Sequence, residues 1–195
     1  MAPEAPLLTA ELLAQFEDEL RRRQAPGLAY AQPGLTDEAM DALVKPLGLR
    51  LPAEARAWWG WRNGTPQYAQ RLLLPWREWL SLEEAVWRAA DVRERFAGEL
   101  LPDDSGPLWP DEWLPITYAT GHVVLDCHAP GIAPVHLADY GALAEDVAIA
   151  RAPSLGQLVI WWTQALAAGA YIYVDGAQGW VDGDKQPEGL ANAWL

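Results

Sequence analysis

The run WPDEWLPITYATGHVVLD, Trp109 to Asp126, holds two strand-like segments separated by a glycine turn. Leu114-Pro-Ile-Thr-Tyr118 and His122-Val-Val-Leu-Asp-Cys127 are rich in β-branched and aromatic residues, and Ala119-Thr-Gly121 is short enough to join them as an antiparallel hairpin. Downstream, Pro134-Val-His-Leu-Ala138 alternates again after the turn residues Ala129-Pro-Gly131, which predicts a third strand of the same meander. Tyr171-Ile-Tyr-Val174 and Trp180-Val181, with Asp175-Gly-Ala-Gln-Gly179 between them, read as a terminal hairpin. Upstream, the short apolar run Arg71-Leu-Leu-Leu74, bounded by Pro75, reads as a first strand.

Helices are expected around these strands. Leu12, Leu13, Phe16 and Leu20 recur at helical spacing, with Thr9 as cap, Glu11 at the positive end of the dipole and Arg21-Arg-Arg23 at the other. Thr36 caps a second helix that ends near Pro46, and Leu51-Pro52 opens a third that closes on Asn63-Gly64. Ser81-Leu-Glu-Glu84 and Ser154-Leu-Gly-Gln157 are capping boxes. The first starts a helix running to about Phe96, and the second a helix apolar nearly all round that ends at Gly169.

With 195 residues, 51% of them hydrophobic, the chain suits one domain with a sizeable core. Twelve Trp against two Phe means that indoles supply much of that core, and each buried indole calls for a partner for its N–H. A lone Cys127 excludes an internal disulfide and favours a reducing compartment. No basic segment leads into an apolar leader, and no apolar run approaches the ~18 residues of a membrane span. A cytoplasmic protein is expected.

Charge is divided unevenly. Residues 1–95 carry 14 acids against 12 Lys and Arg, whereas residues 96–195 carry 13 acids against Arg151 and Lys185 alone. Between Phe96 and Ala150 there is no basic residue at all. Such a surface repels nucleic acid and anionic lipid and attracts a cationic protein, with acidity that serves solubility alone as the competing reading. Asp103, Asp104, Asp111 and Glu112 lie in loop-like composition and are the first candidates for contact with that partner.

Several residues bear on catalysis. His122, Asp126 and His128 would share one face of an extended strand, with His136 on the neighbouring strand, and three His with an Asp form a possible zinc-ligand set. Their spacing matches no H-E-x-x-H motif, so a half-exposed polar strand face is the competing reading. Cys127 alternates onto the opposite face with Val123 and Leu125, as a buried small hydrophobe would. No phosphate-binding glycine loop and no calcium loop is present.

The order Leu51-Pro52 with its helix, Asn63-Gly64, Trp113-Leu-Pro-Ile116, Gly121 and Leu125-Asp126 resembles the SUKH superfamily, which joins fungal cell-wall-synthesis regulators to bacterial immunity proteins of polymorphic toxin systems. The pattern there is an LP-led helix closing on NG, W-x-x-x-W-L-P-I, a glycine turn, an apolar strand ending in Asp, a PV strand and a C-terminal helix opened by Ser. The parts follow one another here across about 50–181. His122 departs from it, since a small polar or acidic residue more often follows the glycine. The resemblance implies an α+β domain over residues 49–195, an antiparallel sheet flanked by helices, with residues 1–48 as a helical extension packed on or tethered to it. It implies no enzymatic activity and no cofactor, and it casts Trp113, Pro115, Gly121 and Asp126 as fold-maintaining positions. An immunity protein of this kind occludes a toxin, often a nuclease, through a surface that differs between members. A regulatory adaptor and a small metal-dependent enzyme built on His122, Asp126, His128 and His136 are the alternatives.

Overall fold

The computed structural model describes residues 5–66, 69, 77–100, 106–119, 121–138, 152–174 and 179–182. Helix α1 spans Ala10–Arg22, α2 Asp37–Val44 and α3 Ala53–Trp61. Strand β1, Glu78–Trp79, precedes α4, Leu82–Arg95. Strands β2 (Trp113–Tyr118), β3 (His122–Asp126) and β4 (Val135–Ala138) follow, then α5 (Leu155–Ala168) and the pair β5 (Tyr171–Val174) and β6 (Gly179–Asp182). The fold is α+β: a four-stranded antiparallel meander in the order β1-β2-β3-β4, a separate antiparallel pair, and helices around them. The expected strand at Arg71–Leu74 lies outside the described residues. Strand β1 had no sequence signal, because two residues are too few to show a period and its extended form is held by pairing with Thr117 and Tyr118.

The caps form as their side chains dictate. Thr9, Thr36, Ser81 and Ser154 each accept the backbone N–H three residues on, at 3.3, 3.3, 3.2 and 3.0 Å. Asn63-Gly64 does more than end α3. The Asn63 Oδ1 accepts the Leu82 N–H at 2.8 Å, so the residue closing one helix caps the next. Gly64 has φ +68°, and a Cβ there would stand 2.4 Å from the Ser81 nitrogen, so left-handed backbone and close approach both demand glycine.

A bulge at Ile116 shifts the β2–β3 register between Pro115 and Thr117, and the two sheet faces then separate cleanly. One face, with Leu114, Ile116, Val123, Leu125 and Val135, joins the main core beside α1, α3 and α5. Tryptophans dominate that core: the Trp58 ring lies 5.5 Å from Trp79 and 6.1 Å from Trp162, and Phe16 of α1 stacks on Trp162 at 6.1 Å. The expected indole partners are present only in part. Trp59 donates to the Leu80 carbonyl at 3.4 Å and Trp61 to Glu17 at 2.7 Å, while the buried N–H groups of Trp58 and Trp79 have no partner among the described residues. The other face packs Trp113, Val124 and Ala138 beneath Trp109, with Val92 and Phe96 from the end of α4.

Residues before 48 share the main core rather than forming one of their own. Leu13, Phe16 and Leu20 are buried in it, Arg23 donates to the Ala167 carbonyl at 2.7 Å, and Ser154 donates to the Pro6 carbonyl at 2.6 Å. Gly156 makes this approach possible, since a Cβ there would meet the Pro6 oxygen at 2.4 Å.

Candidate functional site

The acidic turn is built from its backbone upward. Trp113 N–H bonds to the Pro110 carbonyl at 3.1 Å, closing a tight turn that throws the Asp111 side chain outward, 86% exposed. The Glu112 carbonyl accepts the Cys127 N–H at 2.9 Å, which fixes the turn against the end of β3. Arg93, in the last turn of α4, fastens the arrangement from below. Its guanidinium donates to the carbonyl oxygens of Asp111 and Leu47 and lies 3.7 Å from the Asp111 carboxylate. Burial draws the Arg93 pKa down, against the pull of Asp111, Glu112 and Cys127, yet a guanidinium keeps its charge at any working pH.

An open depression of about 290 Å³ separates this turn from the loop Leu47–Arg50, with Cys127 and His128 on its floor and rim. It adjoins a second one of about 510 Å³ lined by Asp41, Lys45, Arg56 and Pro130. Within it, no side chain is prepared for nucleophilic attack. Burial pushes the Cys127 thiol up to about 12, with Asp126 and Glu112 acting in the same direction and Arg93 opposing, so the sulfur holds its proton at neutral pH.

The four residues considered as metal ligands are brought together only in part. Strand β3 ends at Asp126, whose carboxylate accepts the His128 N–H at 2.8 Å, and His128 stands exposed beyond it. His122 sits opposite Ala138 and His136 opposite Val124, both on the face that packs under Trp109. Among the described residues no group of three or more His, Cys, Asp or Glu is placed to hold a metal ion. His122 is 3% exposed, with the Trp109 ring at 5.7 Å and the Tyr118 ring at 4.8 Å. Burial, reinforced by the charges of Arg88 and Arg95 and opposed by Asp91, lowers its pKa to about 4, which leaves the imidazole neutral. His136 lies against Trp113 at 4.9 Å.

Of the four candidate contact residues, Asp111 and Glu112 flank the depression, while Asp103 and Asp104 lie outside the described residues. The motif positions occupy one region of the sheet: Trp113 is buried opposite Asp126, Pro115 is buried opposite Val124, and Gly121 is buried in the turn between β2 and β3.

Sequence reasoning missed Glu54. At 1% exposure its carboxylate accepts four backbone N–H groups: Leu8 at 2.8 Å and Gly156 at 2.8 Å on Oε1, Ala133 at 2.6 Å and Leu155 at 3.3 Å on Oε2. An acid in the first turn of a helix is explained locally by the dipole, so nothing in the sequence marked it for this role. Trp87 was missed as well. It is 63% exposed on α4, and the period of Leu82, Ala85, Ala89 and Val92 already places it on the opposite side of the helix.

A scan of the chain against protein-family models gives no match, and a search of curated proteins gives none either.

Proposed function

We propose that this chain is a non-enzymatic protein-binding domain of the bacterial immunity type, which neutralises a basic, nuclease-type toxin in the cytoplasm by binding it directly. The observation that carries this reading is the charge of its second half, 13 acids against two bases. A cationic protein meets complementary potential there, which speeds encounter, while nucleic acid is repelled. The exposed carboxylate of Asp111 and the adjoining Glu112 are described members of that surface, and Asp103 and Asp104 join them by composition. Around them the thiol of Cys127 is held protonated, and His122 and His136 are buried together on the sheet face beneath Trp109 and Trp113. No described helix is long and apolar enough to cross a membrane.

Co-expression with the product of the neighbouring gene tests the proposal. Growth rescue together with a complex whose association slows at higher ionic strength is the expected result. A neighbour that is not toxic, or association unchanged after charge reversal at Asp103, Asp104, Asp111 and Glu112, overturns it in favour of a regulatory adaptor.

A further inference from the structure

Helix α4 divides its side chains unusually. Leu82, Ala85, Ala89 and Val92 are buried, and the outward stripe reads Glu83, Trp87, Ala90, Glu94. Trp87 is 63% exposed at the centre of that stripe, although an indole gains most by leaving water. Among the described residues the arginines of α4 are each paired beside the stripe, Arg95 remaining 63% exposed in its pair. Arg88 lies 3.0 Å from Glu78 and 2.9 Å from Glu84, Arg95 lies 2.7 Å from Asp91, and Arg93 is turned toward Asp111. Glu83 is held upright by one bond, from Asn63 Nδ2 at 2.9 Å, and Glu94 is exposed with no ion pair among the described residues.

We infer that this stripe docks a basic segment of a protein partner, with an arginine or lysine of that segment laid over the Trp87 ring between the carboxylates of Glu83 and Glu94. An indole face is the strongest side-chain platform for a cation; Glu83, one turn before the ring, is placed to pair with that cation, and Glu94, two turns after it, with a second basic residue of the same segment. Glu94 stands eleven positions after Glu83, about 16 Å along the helix, a reach matched by about five residues of extended chain. Other occupants fit less well. A second copy would bring like charges together in a chain of net charge −13, and the same field turns away nucleic acid. Among the exposed described residues of α4, an apolar helix would find Ala90 alone beside the ring and would desolvate the acids without compensation. This inference rests on the reading that the partner is a cationic protein, and it names a second contact region beside the acidic turn.

The test uses the full chain labelled with 5-fluorotryptophan, and a short synthetic peptide of alternating Arg and Gly as probe. The Trp87→Phe variant assigns the resonance by its disappearance. Expected are a shift of that resonance on adding the peptide, none with a Glu–Gly peptide, and about two- to fivefold weaker peptide binding in Trp87→Ala. The double change Glu83→Gln, Glu94→Gln is expected to weaken binding and flatten its salt dependence. A resonance that does not move, or equal affinity in Trp87→Ala and wild type, overturns the inference even if the peptide binds elsewhere by charge. Melting temperatures check folding, and if Trp87→Ala melts lower the fluorine shift and the glutamine pair decide. Capture of the cognate toxin with unchanged affinity by Trp87→Ala also overturns this surface while leaving the immunity reading intact. A non-toxic neighbour ends the immunity reading and leaves the peptide result standing.

Discussion

Glu54 and Asp111 are both carboxylates next to a turn of backbone, and they have opposite fates. Glu54 is 1% exposed and its two oxygens are filled by four N–H groups drawn from the N-terminal segment, the loop before β4 and the first turn of α5. Asp111 is 86% exposed and, among the described residues, its carboxylate has only the flank of Arg93 at 3.7 Å. A negative charge is therefore no functional signal in itself. Where the fold supplies the donors, the charge is spent on joining elements; where it does not, the charge stays available to a partner.

Replacing the buried member breaks this contrast most forcefully. Glu54→Ala strands four buried N–H groups, and at about 1–3 kcal/mol for each unsatisfied donor the loss is on the order of 5 kcal/mol. Urea unfolding measures it. A variant within about 1 kcal/mol of wild type would mean that water serves those donors equally well and that Glu54 is not a junction. Trp113→Ala comes next. The residue directly after Glu112 is 5% exposed, packed on Trp109 at 5.7 Å and His136 at 4.9 Å, and its truncation is expected to cost about 3–5 kcal/mol through lost burial and an unfilled cavity. An unchanged denaturation midpoint would detach the acidic turn from any rigid floor.

The floor also carries a titration. His122 has its pKa lowered from 6.5 to about 4 by burial beneath Trp109 and Tyr118 and by Arg88 and Arg95 on α4, with Asp91 opposing. Between those two values the unfolded chain binds a proton that the folded chain refuses. Stability is then highest above pH 6.5 and falls as pH drops toward 4, by up to about 3 kcal/mol from this group. Other groups titrate in the same window, so the comparison is between wild type and His122→Phe: the variant should lose less stability from pH 7 to 4.5. Parallel pH profiles would place the imidazole in water.

The sequence was most readable where one residue acts on its near neighbours. Ser, Thr and Gly mark the ends of α1, α2, α4 and α5, because a cap is a bond over three residues; the hairpin of β2 and β3 follows from alternation and a short turn. What stayed hidden depends on distant contacts. Leu155 lies 101 residues from Glu54 and Leu8 lies 46 away, so no local pattern separates this acid from an ordinary helix-start glutamate. The alternative ligand set of His122, Asp126, His128 and His136 is broken at His128 for a related reason: alternation places side chains on a face only while the strand lasts, and β3 stops at Asp126, so His122 and His136 keep a common face and His128 leaves it. The candidate acids Asp111 and Glu112 were legible as turn residues, and Asp111 is exposed while Glu112 is half-buried, but Arg93, which fixes the turn they stand on, was not legible.

The smallest effect on stability is expected at Asp111, the exposed carboxylate. Asp111→Lys removes an ion pair that is 86% exposed on its acidic side and leaves the backbone bond from Arg93 to the Asp111 carbonyl in place, so stability should move by no more than about 0.5 kcal/mol. Its consequence belongs to encounter instead. Reversing a rim charge weakens the field that draws in a cationic protein, so the association rate should fall and depend less on salt, while the dissociation rate stays close to wild type. Stopped-flow binding to the co-expressed partner at two ionic strengths separates the two rates. A change confined to dissociation would show that Asp111 is enclosed in the complex as an anchor, and a destabilised free protein would show that its pairing with Arg93 is structural, which would move it to the same side of the comparison as Glu54.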